Sequence, residues 1–569
     1  MRALAAAAAL LLCGAVIVPE PAATPRPPSS RFSVAKLPLG AEDNALEAGV
    51  HGEGIYRQGR LPSGELLRGE RQGAPPLQGQ DAACVQCHRR SGLGMVEGKI
   101  VIPPISGHFL FRPGQRIWRD SPMHEGATQM LPTPPDRSAY DEATLARAIR
   151  EGVGANGHPL DYLMPRYDLD DAAMRDLIAY LRHLSSVRVR GATDTTLHFA
   201  TIVTPDADPV ARAGMLNVLE QYFAEKNSVY IGEATTPLLQ GGRPIQRRTQ
   251  RRWQLHVWSL TGAPETWEAQ LDQHLRAEPV FAVISGLAGA TWEPVHRFCE
   301  RQAIACLLPN VDLPVVEDGE FYSVYFSQGV LLEVQLIAAR LGAPASDQRS
   351  SGRIVQVFRE GDIGQAAAAR LQQVMAKSRQ VVDRPVAKGD AATEVVQALQ
   401  DIRHGDTLVL WLRTADLAAL PSPPSGVTVV YLSGVMGGAE NAPLPAAWRK
   451  LARMAYPYEL PELRSLRLNY PLGWFRLRKI PVVDERVQVA TYVACSVLVE
   501  TLASMLDEFV RDFLIERVEV MLDSRIVNGY YTRLGLAPGQ RFASKGGYLV
   551  RFVDPTGSRI AADGDWLTP

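Results

Sequence analysis

The sequence contains little cysteine: six residues among 569 are too few for a disulfide scaffold, so each cysteine is judged by its neighbours. It also lacks an excess of charge of one sign, with 60 basic against 61 acidic residues and a net charge of −1. This balance provides no electrostatic argument for nucleic acid or an anionic membrane as a partner. Motifs of the GxSxG, HExxH and P-loop types are absent, which excludes the enzyme classes that depend on them.

Long apolar runs are missing except at the start of the chain. Met1-Arg2 and the Ala/Leu run that follows predict a signal peptide over residues 1–23. This run is shorter than the ~20 residues that span a bilayer, and no later segment is long and uncharged enough, so we expect no transmembrane segment. Pro/Ser-rich residues 24–41 are expected to form a disordered leader. The predicted location is the periplasm.

At 569 residues and 62.2 kDa, the chain is too long for one hydrophobic core and predicts several domains. With 46% apolar and 21% charged residues, its composition is that of an ordinary globular protein. Residues 42–186 are rich in Gly, Pro and His and contain few helical segments, and residues 187–195 are a plausible linker. Residues 196–552 alternate apolar strands with amphipathic helices, and 553–569 are predicted to be a C-terminal tail.

The motif Cys84-Val85-Gln86-Cys87-His88 is the most informative stretch. On one helical turn, a CxxCH run places two thiols to form thioethers with haem vinyl groups, and the adjacent imidazole reaches the iron. A zinc site would require more ligands, and neither a second CxxC nor an HxxxH is present. A redox CxxC normally starts a helix after a strand, and no strand is predicted before it. We therefore predict one covalent haem c, held by Cys84 and Cys87 and ligated by His88.

The second axial ligand is predicted to be Met164, which lies in the proline-stiffened segment Tyr162–Pro165. Asp170 is a good N-cap for a following helix, and Met174 belongs to the apolar stripe of that helix, so Met174 is expected to be core. Other candidates remain open. They are Met123 and Met130, Met95 on the proximal side, and His108, His124 and His158.

The order of these features resembles class I cytochrome c over residues 42–186: CxxCH, the helix-to-glycine stretch Tyr140–Ala155, Met164-Pro165, and the helix Asp170–Leu184. The resemblance implies a small all-α fold around the haem. It also implies a haem and iron-ligand set of Cys84, Cys87, His88 and Met164.

In that family the first helix runs almost directly into the haem motif. Here Gly54-Ile55-Tyr56 resembles that helix, but Arg57–Gln80 intervenes and is expected to cover one haem edge. His/Met ligation raises the reduction potential and fills both axial positions, which favours electron transfer over reaction with oxygen or peroxide. Arg89, Arg90 and Lys99 either form a basic rim for an acidic redox partner, a periplasmic dehydrogenase or oxidase, or are a solvated surface.

From Thr196 onward, repeated strand–helix units predict parallel sheets in two lobes. The run Pro421–Gly426 is the expected point at which the chain passes between the lobes. Two sets of strands are predicted. The first comprises Leu197–Val203, Trp253–Val257, Val280–Ile284 and Ile304–Leu308, and the second comprises Ile354–Phe358, Leu408–Leu412 and Val427–Leu432.

Residues 196–552 resemble type I periplasmic binding proteins of the branched-chain amino-acid receptor group. The segments that carry this resemblance are Ile284–Gly289, Leu308–Asn310 and Pro538–Tyr548. It implies two lobes that close over a small ligand, held by backbone amides and hydroxyls after the strand ends. The matching positions are Ser285, Ala288 and Asn310, with Tyr322 or Tyr325 from the second lobe; the alternative is that these turns are plain loops.

Cys299 and Cys306 flank a helix end and a strand, and they either form a disulfide or remain two buried thiols. The predicted function is one-electron transfer by an exported mono-haem cytochrome whose second domain binds a small ligand or docks a partner. An alternative is a solute-binding receptor of an ABC-type importer with an accessory haem domain. A haem peroxidase is disfavoured, because c-type peroxidases usually carry two haem motifs and only one CxxCH is present.

Overall fold

The computed structural model describes residues 49–97, 100–114, 137–185, 189–234, 239–240, 243–244, 251–342, 352–387, 392–505, 508–525 and 528–569. The predicted signal peptide and leader lie outside these residues, as do Met123, His124 and Met130. Residues 49–185 are called the N-terminal domain below, and residues 189–569 the α/β domain. Both belong to one unit, Ala48–Pro569.

The N-terminal domain contains helices around a small apolar core. Residues 49–53 are α-helical and Gly54–Gln58 continue as a π-helix. The other helices are Gly79–Ala82 (3-10), Val85–His88, Gly107–Leu110, Glu142–Glu151 and Asp171–His183. The last helix starts where the sequence predicts, because the Asp170 carboxylate accepts a hydrogen bond from the Ala173 amide at 2.7 Å. Helix Glu142–Glu151 starts with a capping box formed by Asp141 and Thr144.

The all-α prediction for this domain is not confirmed, because the domain also contains strands. Arg68–Glu70 pairs antiparallel with Leu77–Gln78 and with Arg166–Tyr167, and Met95–Glu97 pairs with Ile100–Ile102. The first two strands belong to the segment Arg57–Gln80. This segment is therefore structured, and its strand Arg68–Glu70 pairs with the strand that follows Met164.

The first helix crosses the last helix of the domain at very close range. A Cβ atom on Gly52 would lie 2.3 Å from the Asp176 carbonyl oxygen and 2.5 Å from the Tyr180 Cβ. The Tyr56 hydroxyl donates a hydrogen bond to the Arg89 carbonyl oxygen at 2.7 Å. The first helix therefore contacts both the last helix and the chain directly after the CxxCH motif.

The α/β domain contains two parallel sheets, as the sequence predicts. The first lobe has a five-stranded sheet of order Ser323–Val324, Ala305–Leu307, Ala282–Ile284, Thr196–Val203 and Arg252–Ser259. The second lobe has a seven-stranded sheet of order Val381–Val386, Ile354–Arg359, Thr407–Trp411, Val430–Ser433, Ala452–Tyr456, Tyr548–Phe552 and Ile560–Ala562. Only the last two strands of the second sheet pair antiparallel.

Helices cover the sheets and fill the space between them. They are Pro209–Ala234, Trp267–Ala277, Glu293–Arg301, Val330–Gly342, Ile363–Met375, Ala392–Ala398, Thr414–Ala418, Gly434–Gly437, Ala446–Arg449, Pro461–Arg478, Glu485–Met505 and Arg511–Asp523. Pro264–Thr266 and Ala439–Asn441 are 3-10 turns, and Leu239–Gln240 pairs with Arg243–Pro244 as a hairpin.

Two sequence boundaries differ from the structure. The run Pro421–Gly426 does not connect the lobes, because it joins two neighbouring strands of the second sheet, Thr407–Trp411 and Val430–Ser433. The predicted tail 553–569 contributes the edge strand Ile560–Ala562 to that sheet. Neither feature has a local signal, since turn residues look the same within a lobe as between lobes.

We expect Gly52→Ala to destabilise the N-terminal domain by roughly 1–3 kcal/mol, the usual cost of overpacking, because the added methyl group forces the two helices apart. Gly49→Ala is the matched control on the same helical stretch, where a Cβ has no described neighbour within 4 Å. Urea unfolding, followed by far-UV circular dichroism, compares the two variants. Equal stability of both would contradict the close helix crossing.

Candidate functional site

The CxxCH motif has the local geometry that haem attachment requires. Cys84 is the residue before the single turn Val85–His88, and the His88 amide donates to the Cys84 carbonyl oxygen at 2.9 Å. Among the described residues neither cysteine forms a disulfide; Cys87 is exposed and Cys84 is half-buried. The two sulfurs therefore lie on one turn, as two thioether bonds to a haem require.

His88 is oriented as a metal ligand is. Its side chain is buried, and Nδ1 lies 3.0 Å from the Pro103 carbonyl oxygen. Since a carbonyl can only accept, Nδ1 carries the hydrogen, and Nε2 keeps a free lone pair for iron. Burial lowers the pKa of His88 to about 4, so the imidazole is neutral at neutral pH. These residues fit a covalently attached haem.

The segment around Met164 lies close to the motif. Met164 is half-buried and packs against the same apolar core as Cys84 and Val85. Three residues further on, the Tyr167 hydroxyl donates to the Ala82 carbonyl oxygen at 2.9 Å. In the segment Arg57–Gln80, a Cβ on Gly69 would lie about 3 Å from Pro165 and Tyr167. This segment therefore packs beside Met164 rather than apart from it.

The described alternatives to Met164 have different surroundings. Met95 lies in the hairpin strand Met95–Glu97, whereas His108 and His158 are exposed. Met174 is buried in the domain core, in agreement with its predicted structural role.

Arg89 and Arg90 do not form the basic rim or the solvated surface that the sequence suggests; Lys99 lies outside the described residues. Arg89 forms an ion pair with the buried Glu519, which also pairs with Arg541. The guanidinium of Arg90 lies over the Phe321 ring at 4.5 Å from its centroid. Both arginines therefore bind the α/β domain.

Two further contacts extend this interface. The Ser91 amide and hydroxyl donate to the Glu516 carboxylate at 2.8 and 2.6 Å, and Leu93 is buried in the large core of the α/β domain. Burial raises the pKa of Glu516 to about 7, although the nearby Arg89 opposes this shift. Glu516 and Glu519 are interface residues that the sequence did not predict. The signal that could have identified them is the presence of two acids on the buried faces of helix Arg511–Asp523.

Tyr322 lies at this interface, beside a strand of the first lobe and not in the second lobe as the sequence predicts. Its hydroxyl donates to Asp512, which also accepts from Arg57 at 3.4 Å. Phe321 and Tyr322 precede the strand Ser323–Val324, so the N-terminal domain contacts the amino ends of the first-lobe strands.

A cavity of about 590 Å³ lies between the carboxyl ends of the two sheets. Ala288 and Asn310 line it from the first lobe, and Arg359, Asp362 and Arg413 line it from the second. Crevices at the carboxyl ends of parallel strands are the usual ligand sites of open α/β sheets. The haem motif and this cleft are therefore at opposite ends of the first-lobe sheet.

The cleft wall contains paired charges. Arg413 pairs with Asp362 at 2.7 Å, and Arg486 pairs with Asp312 at 3.1 Å. On the first lobe, Asp206 accepts a hydrogen bond from the Ala290 amide at 2.7 Å. The cleft is thus polar on both sides.

Ser285 and Asn310 are neighbours, and Ser285 is fully buried behind the cleft wall. The Asn310 amide donates to the Ser285 hydroxyl at 3.0 Å and to the Thr491 hydroxyl at 3.3 Å. Tyr325 is also buried, stacked between His296 and Phe542. Of the predicted ligand residues, Ala288 and Asn310 line this cavity.

Cys299 and Cys306 are both buried free thiols in the apolar cluster of the first lobe. They are close enough for a hydrogen bond between the thiols, and burial raises the pKa of Cys299 well above its ordinary value. In this structure Cys299 and Cys306 are therefore a pair of buried thiols and not a disulfide.

Among the described residues, one helix, Glu485–Met505, is long and apolar enough to cross a membrane. However, 72% of its apolar window is buried inside the protein. It carries Thr491 of the polar cluster behind the cleft, so its apolar surface is explained by packing within the α/β domain.

We expect Glu519→Ala to lower the free energy of unfolding by about 3–5 kcal/mol, because it leaves two arginines without their buried partner. Asp523→Ala, on the same helix, removes an exposed partner of Arg533 and is expected to cost less than about 1 kcal/mol. Urea unfolding of the haem-loaded chain measures both. Equal, small effects would show that the Glu519 cluster does not hold the domains together.

Comparisons with known proteins address both domains. A search of curated protein sequences finds no match. Solved structures similar to this chain include a fatty acid ABC transporter substrate-binding protein from Thermomonospora curvata, with 14% identity, a TM-score of 0.47, and coverage of 67% of this chain and 95% of that one. A branched chain amino acid ABC transporter from Thermus thermophilus with bound valine has 10% identity, a TM-score of 0.45, and coverage of 67% and 97%.

A leucine-binding protein from Thermotoga maritima is similar at 11% identity with a TM-score of 0.43, covering 66% of this chain and 99% of that one. The N-terminal domain matches a family: the sequence profile described as Cytochrome c matches residues 79–185. This range includes the complete CxxCH motif, Met164 and the last helix of the domain. Residues 79–185 of the chain are a cytochrome c domain.

Proposed function

We propose that this protein is an exported mono-haem cytochrome that transfers single electrons in the periplasm. The observation that carries the proposal is His88, a buried neutral imidazole whose Nδ1 is bound to the Pro103 carbonyl and whose Nε2 is left for iron. Cys84 and Cys87 hold the haem covalently. When bound, the haem supplies one-electron redox chemistry, and the protein positions and insulates it.

Met164 is the proposed second axial ligand. It packs with Cys84 on one core, and its segment is connected to Ala82 through Tyr167. Thioether ligation favours the reduced state and gives a higher reduction potential than a second histidine. The proposed redox partner is a periplasmic dehydrogenase or oxidase.

The α/β domain is proposed to bind a small polar ligand in the interlobe cleft. The support is the placement of Asp206, Arg413 and Arg486 on the cavity wall, where paired charges can exchange partners with a ligand. The cleft also favours the alternative function, a solute-binding receptor of an ABC-type importer with an accessory haem domain. That receptor would bind its ligand equally well with the haem reduced, oxidised or missing.

We further propose that ligand closure of the lobes alters electron transfer at the haem. Polar and packed contacts connect the two sites. At the cleft, Asn310 bonds Thr491 of helix Glu485–Met505, this helix packs on helix Arg511–Asp523, and Glu516 of the latter binds Ser91. Because the contacts at both ends of this helix pair are buried, a shift of the two helices changes the position of the chain around the CxxCH motif.

The axial ligand is tested with Met164→Ala and Met164→His. We expect the alanine variant to show a high-spin haem spectrum, because an axial position opens. We expect the histidine variant to stay low-spin at a lower reduction potential. Spectra and redox titrations of the purified haem protein measure both effects.

Met95→Ala is the control for the same side-chain truncation and is expected to leave spectrum and potential unchanged. A high-spin spectrum of Met123→Ala or Met130→Ala, with a normal spectrum for Met164→Ala, would assign the ligand elsewhere. Protein that loses its pigment on acid–acetone extraction would contradict covalent attachment and the proposed function.

Coupling is tested by screening amino acids and small carboxylates for a rise in unfolding temperature. The rate of haem reduction is then measured with and without a saturating concentration of the best compound. We expect the rate to change in the wild type and to stay constant in Arg413→Ala, whose cleft wall lacks one charge. An unchanged rate in the wild type, with binding demonstrated, would favour the receptor function.

A further inference from the structure

A cluster of metal-binding side chains lies in the first lobe, away from the cleft and the haem motif. One nitrogen of His296 and one oxygen each of Glu300 and Glu320 lie within 4.8 Å of one another. His296 and Glu300 are one turn apart on helix Glu293–Arg301, so both side chains project from the same face. Glu320 lies in the loop before strand Ser323–Val324.

The imidazole of His296 is oriented toward the two carboxylates. Its Nδ1 lies 2.8 Å from the Tyr325 hydroxyl, which holds the ring in place. Its Nε2 is buried, has no hydrogen-bond partner among the residues that the structure describes, and lies 4.0 Å from a Glu320 oxygen. The side chain is only 2% exposed. A buried polar atom without a partner is unfavourable because it loses its hydrogen bonds to water, so this nitrogen points to a group that completes the site.

Glu300 is preorganised by the protein backbone. Its carboxylate accepts hydrogen bonds from the amides of Phe321, Tyr322 and Ser323, at 2.7–3.1 Å. Three amide donors occupy three of the roughly four lone-pair sites of this carboxylate, which leaves one site for a cation. A positive ion between Glu300 and Glu320 would offset the repulsion between their charges.

We propose that His296, Glu300 and Glu320 bind a divalent transition-metal cation, with Zn²⁺ as the best match. One imidazole nitrogen with two carboxylate oxygens is a donor set that zinc accepts, with three protein ligands and a further position for water. Ca²⁺ and Mg²⁺ prefer sites built from oxygen ligands alone. The Tyr325 hydroxyl acts as the outer partner that fixes the imidazole.

The site has a structural consequence for the domain interface. The three amides that hold Glu300 belong to the loop on which Arg90 of the N-terminal domain stacks. A metal on Glu300 and Glu320 would therefore fix both sides of this loop. We expect zinc to raise the thermal unfolding temperature of the full chain, in addition to binding.

The test uses the full-length, haem-loaded protein and Zn²⁺ alone as the probe. Isothermal titration calorimetry and elemental analysis after dialysis are expected to show one zinc per chain that Ca²⁺ does not displace. We expect His296→Gln and Glu320→Gln each to weaken zinc binding at least tenfold. Tyr325→Phe removes only the outer partner, and a loss of ~10–100-fold is expected.

Two substitutions serve as matched controls. Asp318→Asn removes the same charge from the same loop as Glu320→Gln, and His404→Gln removes an exposed imidazole; both are expected to bind zinc like the wild type. The haem spectrum and circular dichroism confirm that each variant folds. If His296→Gln fails to fold, Glu320→Gln decides, since Glu320 is 24% exposed. Absence of zinc binding, or binding that persists in both ligand variants, would overturn the proposal.

Discussion

Glu519 holds two arginines that are far apart in the chain, Arg89 beside the haem motif and Arg541 near the C-terminus. All three groups are largely buried, so removal of any one leaves an uncompensated charge in a low-dielectric interior. Glu516, one turn earlier on the same helix, binds Ser91 through both amide and hydroxyl. The chain around the CxxCH motif is therefore positioned by the α/β domain as well as by its own domain.

The domain interface and the ligand cleft lie at opposite ends of the first lobe. The N-terminal domain contacts residues that precede the first-lobe strands, whereas the cleft lies where these strands end. The strand Thr196–Val203 has eight residues, and at about 3.3 Å per residue it spans roughly 26 Å. Any influence of a cleft ligand on the haem must cross this distance, and the packed helices Glu485–Met505 and Arg511–Asp523 are the elements that reach both ends.

The segment Arg57–Gln80 shows how the N-terminal domain differs from the compact helical arrangement that the sequence predicts. Its strand Arg68–Glu70 pairs with Arg166–Tyr167, directly after Met164-Pro165. Gly69 allows this close approach, because a side chain there would meet Pro165 and Tyr167. The insertion thus supports the proposed ligand loop from outside, and a proline-stiffened loop with a paired strand behind it holds its shape better than a free loop.

Local patterns in the sequence determined the CxxCH turn, the cap at Asp170, and the parallel strands of both lobes, because each depends on residues within one turn or one strand. Only the tertiary structure decided that Arg89 and Arg90 face inward, that Tyr322 belongs to the domain interface, and that residues 560–562 complete a sheet. These features depend on partners hundreds of residues away, such as Glu519 for Arg89. A pattern confined to neighbouring residues contains no information about which distant charge will be buried beside it.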